Sequence, residues 1–471
     1  MAISLSKDTS QVLGERAGNC KCRSLLFDRF ADPQAKEQGR LELLRSFTER
    51  APELIKARNW SSILGRDLVR HGGSVLYVQL RSRLMLNMSG GVMENAGLCL
   101  DRFGLPFLPG SALKGCARRT VVHALREWFL AGGSTDVKPT EVDDLLTPVC
   151  APFASPLKLL EAAARVFGWA DSEWGPTSDW AWACGAKLWP DISAQLQANF
   201  FGKDFDSRTG GISFLPGYPV DLGASRIVEG LEIEVPHLGQ LDLDIVTCHH
   251  RDYYTGSRKV ATDDEEPNPV VFPAVAAGHV FGLGLVPIRI GGSEELSWAR
   301  TWLATGLAAF GLGAKTNAGY GWFSATDAGH RAVERTLENI QKAREAEQKR
   351  AKELELQKLA EAEKKRKAEE FQAATANLNP EQIEDFKLSQ MNDDQFRGRF
   401  ESFVQRDESE QRAIVRALRK SPEERSSRRK YWDELKKKES KGGKLAKVAQ
   451  AIRELSKKMH PSADGKEGKM P

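Results

Sequence analysis

The sequence lacks long apolar stretches. No run among its 471 residues approaches the length of about eighteen residues that a membrane-spanning helix requires. Residues 1–18 also lack the apolar core that is typical of a signal peptide. We therefore predict a cytoplasmic protein with no membrane association.

The sequence is also poor in cysteine. The closest pair, Cys20 and Cys22, has neither the two-residue gap nor the second pair that is typical of a zinc site. This pattern predicts reduced thiols, no structural metal and no cofactor. The seven cysteines are odd in number and scattered, at Cys20, Cys22, Cys99, Cys116, Cys150, Cys184 and Cys248.

Charge of one sign is not in large excess. The formal net charge is +4, which is small for this length. Residues 421–471 carry 15 Lys+Arg and 8 Asp+Glu, so the rest of the chain is slightly acidic. The basic C-terminal end could clamp a nucleic acid or dock a protein partner. A solvated helical appendage is an equally good interpretation.

Strand and helix patterns alternate within residues 73–328, which we predict to form one domain. Apolar and polar residues alternate over residues 74–87, which predicts a strand with one buried face. The short apolar run at residues 97–101 is a candidate hairpin partner. Ser111 is predicted to cap a helix that runs to about Leu130.

The second half of this domain repeats the order of strand, helix and strand. The Pro/Trp-rich residues 131–210 are predicted to be an insertion, and residues 211–290 are β-rich, with residues 231–236 among the predicted strands. A helix at 294–309 and a strand at 320–325 follow. The pattern predicts an α+β, ferredoxin-like (RRM-like) fold with insertions.

Residues outside this domain have a different character. Residues 1–72 are predicted to be a helical and irregular segment. Residues 329–378 carry Glu–Lys pairs at i,i+4 spacing, which favours a long solvated helix, with a weak coiled coil as the alternative. Residues 379–460 are predicted to be a small helical module, and residues 461–471 a disordered tail.

A helix start rich in proline and glycine begins at Leu108, with the sequence Leu-Pro-Gly-Ser-Ala-Leu-Lys-Gly. Exposed N–H groups and the helix dipole make such a start an anion site, and Gly110 and Gly115 permit close approach of another backbone. An ordinary capped helix with solvated basic residues is the alternative. The positive charges near this start are Lys114, Arg118 and Arg119.

A glycine-rich segment at residues 311–321 joins a predicted helix to a predicted strand. Its four glycines, together with Lys315, Thr316 and Asn317, suit a loop that wraps a phosphate backbone with main-chain donors. It is neither a Walker loop nor a dinucleotide fingerprint, because both of those open a helix after a strand. A tight loop without a ligand is the alternative.

The two glycine-containing segments together resemble the RAMP superfamily of CRISPR-associated proteins. Further similar segments lie at residues 87–110, 244–254 and 264–281, and they narrow the resemblance to the sixth-subunit family of type III-B (Cmr) effector complexes. The resemblance covers about residues 73–325. It says nothing about the chain after Gly329.

The resemblance implies a non-catalytic, RNA-binding structural subunit of a ribonucleoprotein complex in antiviral defence. The implied partners are guide RNA, other RAMP subunits and, as a further candidate, target RNA. Contacts are expected mainly with phosphate and sugar, so binding should be salt-sensitive. The residues expected to face RNA or a neighbouring subunit are Gly110, Ser111, Lys114, Gly115, Arg118, Arg119, Gly311, Gly313, Lys315, Thr316, Asn317, Gly319 and Gly321.

A metal-independent endoribonuclease of the same superfamily is the alternative function. Such catalysis needs a general base, often histidine, near a cation that stabilises the transition state. His249 and His250, with Tyr253 and Tyr254, are the candidates, although the family usually has Pro-His-Tyr where this chain has Cys-His-His. Adjacent residues on a strand point to opposite faces, so one histidine at most serves a given site. A structural hydrogen bond is the more common role.

Paired carboxylates offer one further possibility. Asp242 and Asp244 are predicted to share a strand face and could hold Mg²⁺, but a solvated acidic surface is favoured, as it is for the acidic run at residues 263–266.

A purely protein-binding scaffold, whose glycine-containing loops pack against neighbouring subunits, is the third functional alternative.

Overall fold

The protein is described by a computed structural model that covers residues 7–13, 22–31, 37–54, 67–87, 98–131, 142–170, 173–198, 207–224, 226–262, 268–289, 292–420, 428–439, 444–461 and 469–470. The chain divides into two compact units, residues 1–345 and 346–471. Among the residues described, no helix combines the length and apolar character that crossing a membrane requires.

The first unit mixes helices with antiparallel strands. Its strands are β1 (Ser74–Leu80), β2 (Gly168–Ala170), β3 (Ser207–Thr209), β4 (Ile212–Phe214), β5 (Tyr218–Pro219), β6 (Leu241–Cys248), β7 (Asn268–Val275), β8 (Val280–Pro287) and β9 (Phe323–Ser324). Its helices are α1 (Lys7–Leu13), α2 (Arg23–Asp28), α3 (Glu37–Thr48), α4 (Gly110–Leu130), α5 (Thr147–Cys150), α6 (Pro156–Phe167), α7 (Asp179–Cys184), α8 (Trp189–Leu196), α9 (Arg251–Tyr254), α10 (Ser293–Ala309) and the start of α11 (Asp327–Thr375).

The main sheet has five strands in the order β4-β8-β1-β9, with β5 also paired to β8. Every pairing is antiparallel, with Tyr77 opposite Gly282 and Gln79 opposite Ser324. The first of the described strands, β1, therefore lies inside the sheet with a partner on each edge. Helix α4 follows β1, and α10 lies between β8 and β9.

Strand β1 buries both faces, whereas the sequence predicted one. Leu76 and Val78 belong to the main core, which also contains α4 and α10 residues. On the opposite face, Val75 and Tyr77 pack with Val333 of α11 in a separate apolar cluster. The prediction of one buried face was wrong because the start of α11 covers the second face.

The predicted strand at residues 74–87 is interrupted. β1 ends at Leu80, and Leu84 then pairs with Val275 at the end of the β6–β7 hairpin, so the chain passes from one sheet to another. The expected hairpin partner at residues 97–101 forms no strand among its described residues. Leu100 makes an isolated bridge to Pro106 instead.

Two further strand predictions were wrong, one in the existence of the strand and one in its length. No strand occupies residues 231–236, because the side-chain amide of buried Gln79 engages this segment, accepting from Glu232 N at 2.8 Å and donating to Ile233 O at 2.7 Å. The predicted strand at 320–325 contracts to β9, because the glycine-rich loop bonds the backbone of Gly321.

The Pro/Trp-rich insertion is mainly helical in its described part. Ser155 and Ser178 cap α6 and α7 through their side chains, accepting from Lys158 N and Ala181 N. The insertion packs around three stacked indoles, Trp169, Trp174 and Trp180, whose successive centroids are 4.4 and 4.5 Å apart.

The N-terminal segment is part of the main core. Phe27 and Phe47 stack at 4.4 Å and are buried with the sheet. The buried guanidinium of Arg23 donates to the carbonyl oxygens of Gly104, Arg50 and Gly239, the last at 2.6 Å. Three neutral acceptors thus satisfy a charge taken out of water, which fixes this segment to two distant loops.

The second unit, in its described part, is helical. It contains the rest of α11, then α12 (Pro380–Gln390), α13 (Asp393–Glu401), α14 (Glu408–Arg419), α15 (Arg429–Glu439) and α16 (Lys444–Met459). Its core includes Phe396, Phe403 and Trp432. Asn379 and Asn392 each form a capping box with the glutamine three residues later. Most of the predicted tail at 461–471 lies outside the described residues.

Candidate nucleic-acid interface

Helix α4 begins one residue before the predicted cap. Pro109 occupies the N-cap position and makes no side-chain cap bond, so the prediction that Ser111 caps the helix was wrong. Ser111 lies in the first turn with its side chain exposed. Leu108 exchanges both backbone hydrogen bonds with Gly217. A Cβ on Gly110 would overlap Phe214 O, so this glycine lets the helix start against β4.

Two of the basic side chains on α4 have partners inside the protein. Lys114 Nζ donates to Phe167 O at 2.9 Å. Arg118 forms an ion pair with Asp179, and its guanidinium lies 5.0 Å from the Trp180 ring centroid. Both contacts tie α4 to the insertion, which the sequence motif alone did not indicate. Lys114 and Arg118 therefore have structural roles in this chain.

Arg119 joins the two predicted segments. It is exposed, its Nη2 donates to Gly311 O at 2.9 Å, and its guanidinium lies 5.0 Å from the Phe310 ring centroid. Nine residues separate it from Gly110, so the glycine-rich loop meets α4 about 13 Å beyond its start. The first segment thus forms the start of α4, and the second contacts the same helix further along.

Three of the four glycines in the loop pack against backbone. A Cβ on Gly311 would lie 2.7 Å from Gly321 O, one on Gly313 would overlap Met85 O, and one on Gly321 would overlap Leu312 O. All three have positive φ, at 65°, 101° and 69°. These glycines are therefore required by the fold of the loop itself.

The fourth glycine, Gly319, belongs to the tip of the loop, residues 315–319, in which Lys315 and Thr316 are half-buried and residues 317–319 are exposed. Nothing lies within 4 Å of a Cβ built on Gly319, and Asn317 is exposed. Lys315 is left-handed, with φ 56°, and precedes a 3₁₀ turn at Thr316–Ala318. Within the described residues, the N–H groups of Thr316 and Asn317 have no acceptor. The tip thus carries two unpaired backbone donors beside a half-buried lysine.

The paired carboxylates are neutralised by protein groups. Asp242 and Asp244 share a face of β6, and Arg83 bonds both, at 3.3 and 3.0 Å. Tyr320 Oη donates to Asp244 at 2.7 Å. Burial and this hydrogen bond raise the pKa of Tyr320 to about 12. Burial opposes ionisation of Asp244, but hydrogen bonds from Tyr320 and Ile245, with Arg83, lower its pKa.

No metal cluster accompanies this pair. Across the described part of the chain, no three His, Cys, Asp or Glu residues are grouped so as to hold an ion. The acidic run at residues 263–266 lies outside the described residues. Arg83, which sequence reasoning missed, takes the position a cation would need.

The candidate histidines lie beyond the end of β6, so the expectation that both lie on a strand was wrong. His249 is exposed, and its ring centroid is 6.5 Å from that of His250. The Nδ1 atom of His250 is 3.2 Å from Thr262 O. Tyr253 and Tyr254 are exposed on α9. Among the described residues, His249 contacts neither a lysine nor a carboxylate.

Sequence reasoning missed an aromatic surface beside α4. His123 contacts the rings of Trp182 and Phe310, with centroid distances of 5.7 and 4.8 Å. The signal present in the sequence was the spacing of Arg119, His123 and Arg126, which places them on one helix face. Trp182, from the insertion, could not be assigned to this face by spacing.

The sequence profile of the RAMP superfamily matches residues 71–324, more than half of the chain. The chain therefore belongs to the RAMP superfamily, and the resemblance inferred from the two glycine-containing segments is confirmed. Both segments lie within the matched residues, whereas α11 and α12–α16 lie entirely outside them.

A characterised relative is the CRISPR system Cmr subunit Cmr6 of Pyrococcus furiosus, which is 25% identical over 246 residues. The alignment covers 51% of this chain and 64% of that protein, so it spans slightly less than two thirds of the relative's length.

Two solved structures are also similar. One is the cryo-EM structure of the type III-B Cmr-beta bound to cognate target RNA, at 15% identity, 68% of this chain, 89% of the other chain and a TM-score of 0.33. The other is the crystal structure of Cmr6 from Pyrococcus furiosus, at 20% identity, 54% of this chain, 98% of the other and a TM-score of 0.25.

Proposed function

We propose that this chain is a non-catalytic, RNA-binding subunit of a type III-B CRISPR effector complex and acts in antiviral defence in the cytoplasm. Guide RNA and neighbouring RAMP subunits are its partners, and target RNA is a further candidate. Membership of the RAMP superfamily and the relationship to a Cmr subunit support this function. The observation that carries the RNA contact is the pair of unpaired backbone donors, Thr316 N and Asn317 N, in the loop tip at residues 315–319.

The loop tip has the chemistry of a phosphate contact. The N–H groups of Thr316 and Asn317 are unpaired among the described residues, and the Lys315 ammonium lies 5.2 Å from the Phe272 ring centroid. Consecutive backbone donors beside a lysine form a concavity that suits a phosphate oxygen. Because the surrounding glycines pack against backbone, the tip is held in this form before RNA arrives, which reduces the entropy cost of binding.

In this proposal, the thirteen predicted contact residues have different roles. Gly110, Gly311, Gly313 and Gly321 shape the loops, and Lys114 and Arg118 fasten α4 to the insertion. The residues left to contact RNA or a neighbouring subunit are the exposed Ser111, Gly115, Arg119, Asn317 and Gly319 and the half-buried Lys315 and Thr316.

The order of elements supports a ferredoxin-like sheet as part of this proposal. Taking β1, β4–β5, β8 and β9 as its four positions, with α4 and α10 as the two helices, the chain follows strand–helix–strand–strand–helix–strand. Such a domain places the loop between its second helix and last strand, here residues 311–321, beside the central strand.

The first experiment is affinity purification of the tagged full chain from its native host, followed by sequencing of the RNA that copurifies. We expect discrete repeat-derived RNAs together with several RAMP-type subunits. A chain that returns alone, monomeric and free of RNA would contradict the proposed function. Cleavage of repeat RNA that is lost in His249→Ala would replace it with the endoribonuclease alternative.

A matched pair of substitutions tests the interface directly. Gly115 is exposed in α4, with nothing within 4 Å of a Cβ. Gly115→Glu adds a negative side chain there and should weaken RNA binding by about tenfold, which is about 1.4 kcal/mol. Gly398→Glu is the control, because Gly398 is also an exposed helical glycine with an open Cβ position. Equal affinities for the two variants would contradict this interface.

A further inference from the structure

Trp182 is the exposed apolar residue of α7, a helix whose other apolar residues are buried. In α7, Trp180, Ala181, Ala183 and Cys184 are buried, whereas Trp182 is 51% exposed. Among the tryptophans that the structure describes, it alone is exposed. A large aromatic side chain left in water offers area that a flat apolar partner can cover.

Helix α4 holds Trp182 in place. The Arg126 guanidinium lies 5.2 Å from a Trp182 ring centroid, and its Nη1 donates to Trp182 O at 3.2 Å. The His123 ring meets the indole edge-on at 5.7 Å. The indole is therefore fixed by a cation and an aromatic ring, so little side-chain entropy remains to be lost on binding.

The same helix face continues from Trp182 to the glycine-rich loop. The His123 ring is 4.8 Å from Phe310, and Arg119 lies over Phe310 while donating to Gly311 O. We call Arg119, His123, Arg126, Phe310 and Trp182 the α4 stripe. Gly115 lies one turn before Arg119 on this face, so the stripe and the proposed contact form a surface about 16 Å long.

The stripe alternates flat rings with guanidinium groups. Burial and the nearby Arg119 charge lower the pKa of His123, which leaves its imidazole neutral at neutral pH. Single-stranded nucleic acids are bound by aromatic side chains that stack on bases and by cations that follow the phosphates. A double helix keeps its bases stacked inside and would gain nothing from Trp182.

We propose that the α4 stripe is a base-stacking site for single-stranded RNA, with Trp182 as the stacking surface and Arg119 and Arg126 beside the phosphates. This proposal rests on the proposed function and extends the RNA path from the glycine-rich loop onto the helical insertion. A protein partner is the competing occupant, but the continuity with the phosphate-binding loop favours RNA.

The test measures binding of the full chain to single-stranded oligouridine of about twelve nucleotides. Trp182→Ala should weaken binding about tenfold, whereas Trp182→Phe, which keeps an aromatic ring, should retain most of the affinity. Leu188→Ala is the matched control, because Leu188 is 48% exposed in the same insertion. Duplex RNA of the same length should show no difference between Trp182→Ala and the wild-type chain.

A second readout reports contact rather than stability. Oligouridine carrying 5-iodouridine photocrosslinks to an aromatic side chain stacked on the base, and the crosslinked peptide should contain Trp182. Wild-type affinity in Trp182→Ala with no crosslink at this peptide would overturn the stacking site and leave the proposed function standing. Loss of a copurifying subunit from Trp182→Ala, with RNA affinity unchanged, would overturn it in favour of protein docking. A wild-type chain that binds no RNA would instead refute the proposed function itself.

Discussion

The two compact units are stabilised by contacts of different range. In residues 1–345, the decisive contacts join distant parts of the chain, such as Gly313 against Met85 O and Arg23 against Gly239 O. In residues 346–471, many are local, such as the capping boxes of Asn379 and Asn392. Substitutions in the first unit should therefore disturb distant elements together, whereas those in the second should act on one helix or one core.

The largest expected effect is Gly321→Ala in the first unit. Its Cβ would overlap Leu312 O at a φ of 69°, so the loop and β9 must move apart. We expect a loss of about 4 kcal/mol or more in the free energy of unfolding of this unit, measured by denaturant titration. Gly319→Ala is the control, because its φ is also positive but its Cβ position is open, and it should lose about 1–2 kcal/mol. Equal losses of stability in the two variants would contradict the inference that Gly321 is required by its packing against backbone.

The next largest effect is Phe403→Ala in the second unit. Phe403 is fully buried, and its removal leaves a cavity that should cost about 3–5 kcal/mol. Calorimetry should show a lower transition for this unit and an unchanged one for residues 1–345. Val404→Ala, at a residue that is 55% exposed, should change stability by less than about 0.5 kcal/mol. A shift of both transitions would show that the two units do not unfold separately.

A smaller effect is expected from Asn392→Ala. The Asn392 side chain accepts from Gln395 N at 2.8 Å at the start of α13, so its loss should cost about 1 kcal/mol. The transition of the second unit reports this change. Asn392→Asp keeps the acceptor and should retain the stability; a loss as large as that in the alanine variant would exclude capping as the cause.

The smallest effect is the pH dependence of the Tyr320–Asp244 pair. Because the pKa of Tyr320 is raised, its contribution to the free energy of unfolding is present below pH 10 and is lost as pH rises towards about 12. The lowered pKa of Asp244 means that its contribution is present above its ordinary value of 3.8 and is lost as pH falls below that value. The stability difference between the wild-type chain and Tyr320→Phe should shrink at both extremes; a difference that is constant with pH would contradict the assignment.

Elements with a strong local pattern could be predicted from the sequence. The end of α4 at Leu130 and the extent of α10 match their predicted ranges, because apolar periodicity is a property of neighbouring residues. A strand that carries Asp242 and Asp244 was also predicted, and both residues lie in β6. The pairing of strands could not be predicted. After β1, Leu84 pairs with Val275 of the β6–β7 hairpin, which lies far along the chain.

The sequence singled out the segments of the candidate site but could not give the contacts that their residues make inside the protein. The glycine-rich residues 311–321 were predicted to form a loop between a helix and a strand, and all four of their glycines have positive φ. Spacing could not distinguish glycines that pack on backbone from Gly319, which faces solvent. It likewise could not show that Lys114 reaches Phe167 O, because that acceptor belongs to the insertion.

The central position of β1 has a consequence for synthesis of the chain. Among the strands that the structure describes, β1 emerges from the ribosome first, yet its two neighbours, β8 and β9, come from residues 280–324. Both edges of β1 therefore remain without their native partner strands until β8, and then β9, have been translated. Contacts of such high sequence separation slow folding. Until they form, the unpaired edges of β1 are prone to aggregation, and we expect chaperones to assist the chain during its synthesis.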